Sequence, residues 1–210
     1  MNEKFYALPE EKQSQILNAA YKVFATNQYK KAPTSEIAAE AGISKSLLFH
    51  YFHNKQELYI FLWKYAADLT KKYMCKYKVY ETDDFFEMMR RGLMAKCAVM
   101  RKYTFLSLFS INSYFEMEPD IQSIIQPDVQ DAAKKTLEML LSILNLDLIR
   151  KDIEFDRIYK EILYASDGML KYWYRTGNYD VTAFEQEYLE MINHWEMVYG
   201  KGTGNDRKQL

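Results

Sequence analysis

Apolar residues along the chain return every three or four positions, and nowhere do they alternate as a strand would require. In "LPEEKQSQILNAAYKVFATNQ", Ile16, Leu17, Ala20, Val23 and Phe24 share one stripe. Pro9 suits an early helical position, and Glu10 and Glu11 favour the positive end of a helix dipole, so a first helix is expected there. "APTSEIAAEAG" predicts a short helix with Thr34 as N-cap and Gly42 as its closing glycine. Ser44 starts a second short helix, Asn54 interrupts it, and Lys55 opens a long one reaching toward Tyr80. Phe86, Met89, Leu93, Cys97 and Met100 then mark a helix that starts with acids. Further helical segments are expected over 105–114, 129–144, 155–174 and 182–199, with "MEPDIQ" as a break and Gly177 and Gly200 as the last two stops. The pattern predicts an all-α chain: a three-helix head over 1–53, a larger helical domain over 54–200, and a disordered tail over 201–210.

Composition supports that reading and narrows the chemistry. Only 4 prolines and 7 glycines interrupt 210 residues, and a hydrophobic content of 49% suffices for a sizeable core. The net charge of −1 conceals an asymmetry, since residues 1–80 hold 12 lysines against 7 acids while the remainder holds 16 basic against 22 acidic residues. A basic front suggests an anionic partner. The 2 cysteines, Cys75 and Cys97, lack metal-type spacing and are too few for a disulfide framework, so both are expected as small buried apolar residues in a reducing compartment. The start "MNEKFYALPEEK" has no apolar signal core, and no apolar run approaches the roughly 18 residues a bilayer needs. A soluble cytoplasmic protein with no membrane partner is expected.

Two short helices joined by a tight glycine-containing joint are the pattern of a helix-turn-helix. Ala38 is small where the helices must cross, Gly42 permits the turn, and Ile37, Ile43 and Leu48 can plug the joint. Leu48 and Phe52, four apart, are expected inside. Lys45, Ser46, Leu47, Phe49 and His50 then fill the remaining surface, and no Asp or Glu occurs between Glu40 and Glu57. Such a surface does not repel phosphate, and phosphate contacts supply most non-specific affinity for DNA. Ser44 and Lys45 can offer a hydroxyl, backbone N–H groups and a cation. Lys55 sits where a helix N-terminus adds to its charge, and Thr34 could bond a phosphate in the same way.

Over this stretch, "TSEIAAEAGISKSLLFHYFHNKQELY" resembles the DNA-binding motif of the tetracycline-repressor (TetR) family. Thr34, Ile37, Ala38, Ala41, Gly42, Ser44, Lys45, Leu48, Tyr51, Phe52, Lys55 and Leu58 match the family pattern without gaps. The resemblance covers residues 9–60. It implies DNA contacts from Thr34, Ser35, Ser44, Lys45, Ser46, Leu47, Phe49, His50, Tyr51 and Lys55. Two positions depart from the pattern: Phe49 stands where tyrosine is usual, and Leu47 where small or polar residues are common. Phe49 can still meet a thymine methyl, and readout at Leu47 would be apolar.

The rest of the chain carries no enzymatic constellation. His50 and His53 lie near Glu57, but the break at Asn54 separates them, so no metal site is expected, and no cofactor motif is present. Met89, Leu93, Phe105, Phe109, Met139 and Asp167 are candidate linings of an adaptable apolar pocket for a small-molecule effector. Met169, Tyr172, Trp173, Phe184, Tyr188, Met191 and Trp195 supply apolar stripes suited either to a homodimer interface or to the core of one chain. The resemblance implies a homodimeric regulator, a repressor whose grip on a palindromic double-stranded operator loosens when the effector enters. The alternative is a helical small-molecule carrier whose DNA head has lost function, supported by Phe49 and Leu47.

Overall fold

A computed structural model describes residues 3–177 and 179–201, so the expected tail beyond Lys201 lies outside the described residues. The α-helices are α1 (Glu3–Tyr6), α2 (Glu10–Thr26), α3 (Thr34–Glu40), α4 (Lys45–Phe52) and α5 (Lys55–Lys76), followed by α6 (Phe85–Lys102), α7 (Leu106–Tyr114), α8 (Pro119–Ile143), α9 (Phe155–Thr176) and α10 (Val181–Tyr199). Extended pairing among the described residues is limited to one antiparallel bridge, Ile149 with Gly200. No helix among them is long and apolar enough to cross a membrane.

Four details differ from the sequence reading. Helix α1 has no counterpart in the periodicity; its four residues are held because Phe5 is fully buried, with its ring 5.0 Å from Phe52 and 5.4 Å from Phe61. Thr34 is not an N-cap. It is the first residue of α3, Pro33 takes the cap position, and no side chain caps there. Helix α8 begins well before the expected start and runs through Pro127. Pro119 needs no N–H at a first helical position, while Pro127 gives up one backbone bond. Burial of Ile121 and Ile125, and a Gln126 bond to the Tyr114 carbonyl at 3.0 Å, hold that turn. Finally, Cys97 is buried but Cys75 is exposed.

The described residues form two compact units, one from residues up to 71 with 99–131, the other from 72–98 with those from 132 onward. In the first, α2 lies against α3 and α7. Its core is an aromatic cluster: Tyr59 lies 5.0 Å from Phe24 and 4.9 Å from Phe109, and Tyr21 lies 5.3 Å from Phe109. Edge-to-face rings of this kind add about 0.5–1.5 kcal/mol per pair beyond their buried area. Their polar tips are satisfied, since Tyr21 Oη donates to the Leu62 carbonyl at 3.0 Å and Tyr59 Oη lies 3.0 Å from Ser113 Oγ. Asn112 Nδ2 donates to the Ala25 carbonyl at 2.9 Å, which serves one of the orphan acceptors at the end of α2.

In the second unit, Phe85 meets Phe155 at 5.1 Å and Trp173 meets Phe184 at 5.0 Å. Asp84 Oδ1 caps α6 by accepting from the N–H of Phe86 at 2.8 Å, and Asp180 Oδ1 caps α10 by accepting from Thr182 at 2.9 Å. Gly177, at φ +71°, closes α9 in the left-handed conformation that its lack of a Cβ permits. Arg90 reaches from α6 to Glu196 and to Asn193 on α10.

Candidate nucleic-acid interface

The joint between α3 and α4 is built by backbone hydrogen bonds that the sequence makes possible. Gly42, at φ +64°, sends its N–H to the Ala39 carbonyl at 3.1 Å, and Ile43 sends its own to the Ala38 carbonyl at 3.0 Å. This pair of bonds is a Schellman closure, and it needs a residue that enters the left-handed region without strain. Ser44 then caps α4, its Oγ accepting from the Leu47 N–H at 3.1 Å. Ile37, Leu48 and Phe52 are fully buried and Ala38 nearly so, which fixes the rotation of α4 about its axis.

That rotation decides what faces outward. Ser35, Ser44, Lys45, Ser46, Leu47 and His50 are exposed, Phe49 and Lys55 are half-buried, and Thr34 and Tyr51 are buried at 9% and 8% exposure. Six of the ten expected contact residues are therefore exposed, five of them (Ser44, Lys45, Ser46, Leu47 and His50) on a stretch that carries no carboxylate. Lys45 Nζ lies 5.8 Å from the centre of the Phe49 ring. Tyr51 instead turns its ring toward Phe5 at 6.4 Å, in edge-to-face packing on α1. The aromatic pair Phe5 and Tyr6 ahead of Pro9 was the available signal for that support, and the helical periodicity was too short to show it.

Lys55 is engaged by the protein itself. Its ammonium donates to the Lys30 carbonyl at 3.2 Å and lies 4.8 Å from the centre of the Tyr29 ring. Desolvation lowers its pKa, against an upward pull from Glu116 and Glu118. The break before α5 is also specific: His53 adopts φ +54°, and Asn54 exchanges bonds with Glu57, accepting from its N–H at 2.8 Å and donating to its carboxylate at 3.1 Å. Among the described residues, no three His, Cys, Asp or Glu side chains converge as metal ligands.

The other expected sites are dispersed. Phe105 and Phe109 belong to the first unit, and Phe109 is consumed by the aromatic core; Met89, Leu93, Met139 and Asp167 belong to the second. Of the expected interface residues, Trp173, Phe184 and Trp195 are buried within one chain, whereas Met169, Tyr188 and Met191 keep partial exposure and Tyr172 is exposed. A crevice of about 300 Å³ is lined by Met169, Tyr172, Trp173, Thr176 and Glu187.

An exposed, acid-free helix seated on a Schellman turn near the N-terminus, followed by a larger all-helical region, defines the class of helix-turn-helix DNA-binding regulators. A family model for bacterial regulatory proteins of the tetR family matches residues 16–60, the stretch that holds α3, α4 and the start of α5. The chain is similar to the fatty acid metabolism regulator protein of Bacillus subtilis, 28% identical over 90% of this chain and 78% of that one. Among solved structures, it shares its fold with a TetR family transcriptional regulator from Chloroflexus aurantiacus (TM-score 0.63, 18% identity, 95% of this chain and 98% of that one). It also shares it with the regulator FadR from Bacillus subtilis in complex with stearoyl-CoA (TM-score 0.56, 19% identity, 85% of this chain and 96% of that one).

Proposed function

We propose that the chain is a cytoplasmic homodimeric repressor. Two copies bind a palindromic operator in double-stranded DNA through their α4 helices, and a long-chain acyl effector releases them. The observation that carries the DNA reading is the outward face of α4, where Lys45, Ser46, Leu47 and His50 stand exposed while Leu48 and Phe52 lock the helix from behind. A helix so presented fits the major groove, with Ser44, Lys45 and Ser46 toward phosphates and Leu47, Phe49 and His50 toward base edges. Operator reading is assigned to residues 1–53, and effector binding and pairing to residues 54–200. The similarity to a regulator named for fatty acid metabolism, and a structural relative holding stearoyl-CoA, favour an acyl chain as the apolar effector. Pairing is assigned to α9 and α10, where Tyr164, Tyr172, Leu189 and Met197 are exposed beside the half-buried Met169 and Met191.

Selection of bound duplexes from a random pool at low salt tests this reading. The expected outcome is an enriched palindrome bound by two chains. Lys45→Ala should weaken binding to all sequences several-fold and lower the log–log salt slope by about one. A pool that yields no palindrome overturns the regulator reading in favour of a helical carrier.

A further inference from the structure

Helix α4 is poor in groups that tell bases apart by hydrogen bonds. Its eight residues include no Arg, Asn, Gln, Asp or Glu, the side chains that, with lysine, make the discriminating bonds to base edges. Its one lysine, Lys45, stands at the first helical position with its ammonium 5.8 Å from the centre of the Phe49 ring. At about 100° per residue, Ser46 and His50 lie two positions either side of the buried Leu48 and so face away from it. Leu47 and Phe49 flank that outward pair. A serine hydroxyl both donates and accepts, so Ser46 suits any base and selects little.

The two flanking residues differ in what they already touch. Phe49 is half-buried and has the Lys45 ammonium near its ring. Leu47 is 36% exposed, its backbone N–H bonded to Ser44 Oγ at 3.1 Å and its side chain open to solvent. That cap also fixes where the leucine stands. It is the third residue of α4, within the first turn, the part of a recognition helix that meets base edges. Among the groups that base pairs present in the major groove, the apolar one is the C5-methyl of thymine.

We propose that Leu47 selects the operator through the 5-methyl group of a pyrimidine, so that affinity follows the methyl and not the hydrogen-bonding groups of the base that carries it. This role rests on α4 being the DNA-reading helix. Thymine offers an oxygen acceptor where cytosine offers an amino donor. Leucine can bond neither, so 5-methylcytosine serves at this position where cytosine does not.

The full chain is titrated by fluorescence anisotropy with the palindromic duplex obtained by selection, each thymine being replaced in turn by deoxyuridine. At one thymine of each half-site, losing the methyl should weaken binding about fourfold, and about fifteenfold when both half-sites are changed. At that position thymine and 5-methylcytosine should bind alike, and uracil and cytosine should share the loss. Leu47→Ala should bring the four duplexes together while the log–log salt slope, which counts phosphates, stays as in wild type. Leu47→Met, which keeps a long apolar side chain, should preserve the methyl preference. A ranking that groups thymine with uracil, and 5-methylcytosine with cytosine, assigns the readout to hydrogen bonds and overturns the proposal. So does a methyl preference that survives in Leu47→Ala, which moves the contact to Phe49. A lower salt slope in Leu47→Ala also overturns it, by making Leu47 a support of the helix and not a reader. Deoxyuridine tolerated at every thymine removes the methyl readout and leaves the regulator standing, whereas selection that yields no palindrome removes both.

Discussion

Tyr59 shows how one side chain ties the reading head's supports together. Its ring is 2% exposed between Phe24 and Phe109, and its hydroxyl lies 3.0 Å from Ser113 Oγ. Burial disfavours the phenolate and pushes the pKa from 10.0 up to about 12, with the Ser113 bond pulling the other way and Glu116 and Tyr29 adding to the rise. The folded state therefore holds this proton more tightly than the unfolded chain does. The resulting stability is present in full below pH 10.0 and is lost as pH climbs toward about 12. Its size is on the order of 2–3 kcal/mol. Tyr21 and Tyr65 are raised too and contribute to the same alkaline decline. Tyr59→Phe should cost about 1 kcal/mol at neutral pH, because Ser113 Oγ keeps its bond to the Phe109 carbonyl at 2.8 Å. It should also make the fall in stability above pH 10 shallower than in wild type. Urea unfolding across the alkaline range measures both, and parallel declines would assign the alkaline loss to the other tyrosines.

Among the elements, the α3–α4 joint is the one most fully specified by local chemistry. A Cβ at Gly42 would meet nothing within 4 Å, so replacing this glycine meets only the backbone cost of φ +64°. Gly42→Ala should destabilise by about 1–2 kcal/mol, and Gly42→Asn by less, since asparagine tolerates the left-handed region. Denaturant midpoints of the two variants check the order; an alanine variant as stable as wild type would show that the closure is not needed. This joint was legible in the sequence because Gly42, Ser44, Leu48 and Phe52 each answer to a local rule. Gly177 closes α9 for the same reason. What stayed hidden depends on distant partners: Phe5 needs Phe52 and Phe61, the passage of α8 through Pro127 needs buried Ile121 and Ile125, and the Pro33 start of α3 displaces Thr34 from the cap. Within the candidate site, periodicity separated Leu48 and Phe52 from Lys45 and Ser46 but could not foresee that Tyr51 would turn to α1.

Charge is rearranged when the whole molecule folds. The basic excess of residues 1–80 does not persist in the first compact unit, because residues 99–131 join residues 1–71 there. That unit holds eleven basic and twelve acidic side chains, so attraction to DNA depends on where the charges stand. Helix α4 carries no acid, whereas the segment before and into α8 brings its own to the other cations of the head. Glu116 Oε2 accepts the Tyr29 N–H at 3.1 Å, Lys30 Nζ lies 3.9 Å from Glu118, and both acids act on Lys55. The double substitution Glu116→Gln with Glu118→Gln removes two charges while keeping an oxygen that can accept from Tyr29. If Lys30 and Lys55 reach phosphate, DNA binding should tighten at low salt, the log–log salt slope should steepen by about 0.9 for each phosphate newly neutralised, and the gain should vanish at high salt. Lys45→Ala shifts the slope in the opposite sense, which separates the two effects in one titration series. An unchanged slope in the double variant would instead make Lys55 a structural strut, its ammonium spent on the Tyr29 ring and the Lys30 carbonyl, and would leave phosphate recognition to Ser44, Lys45 and the start of α4.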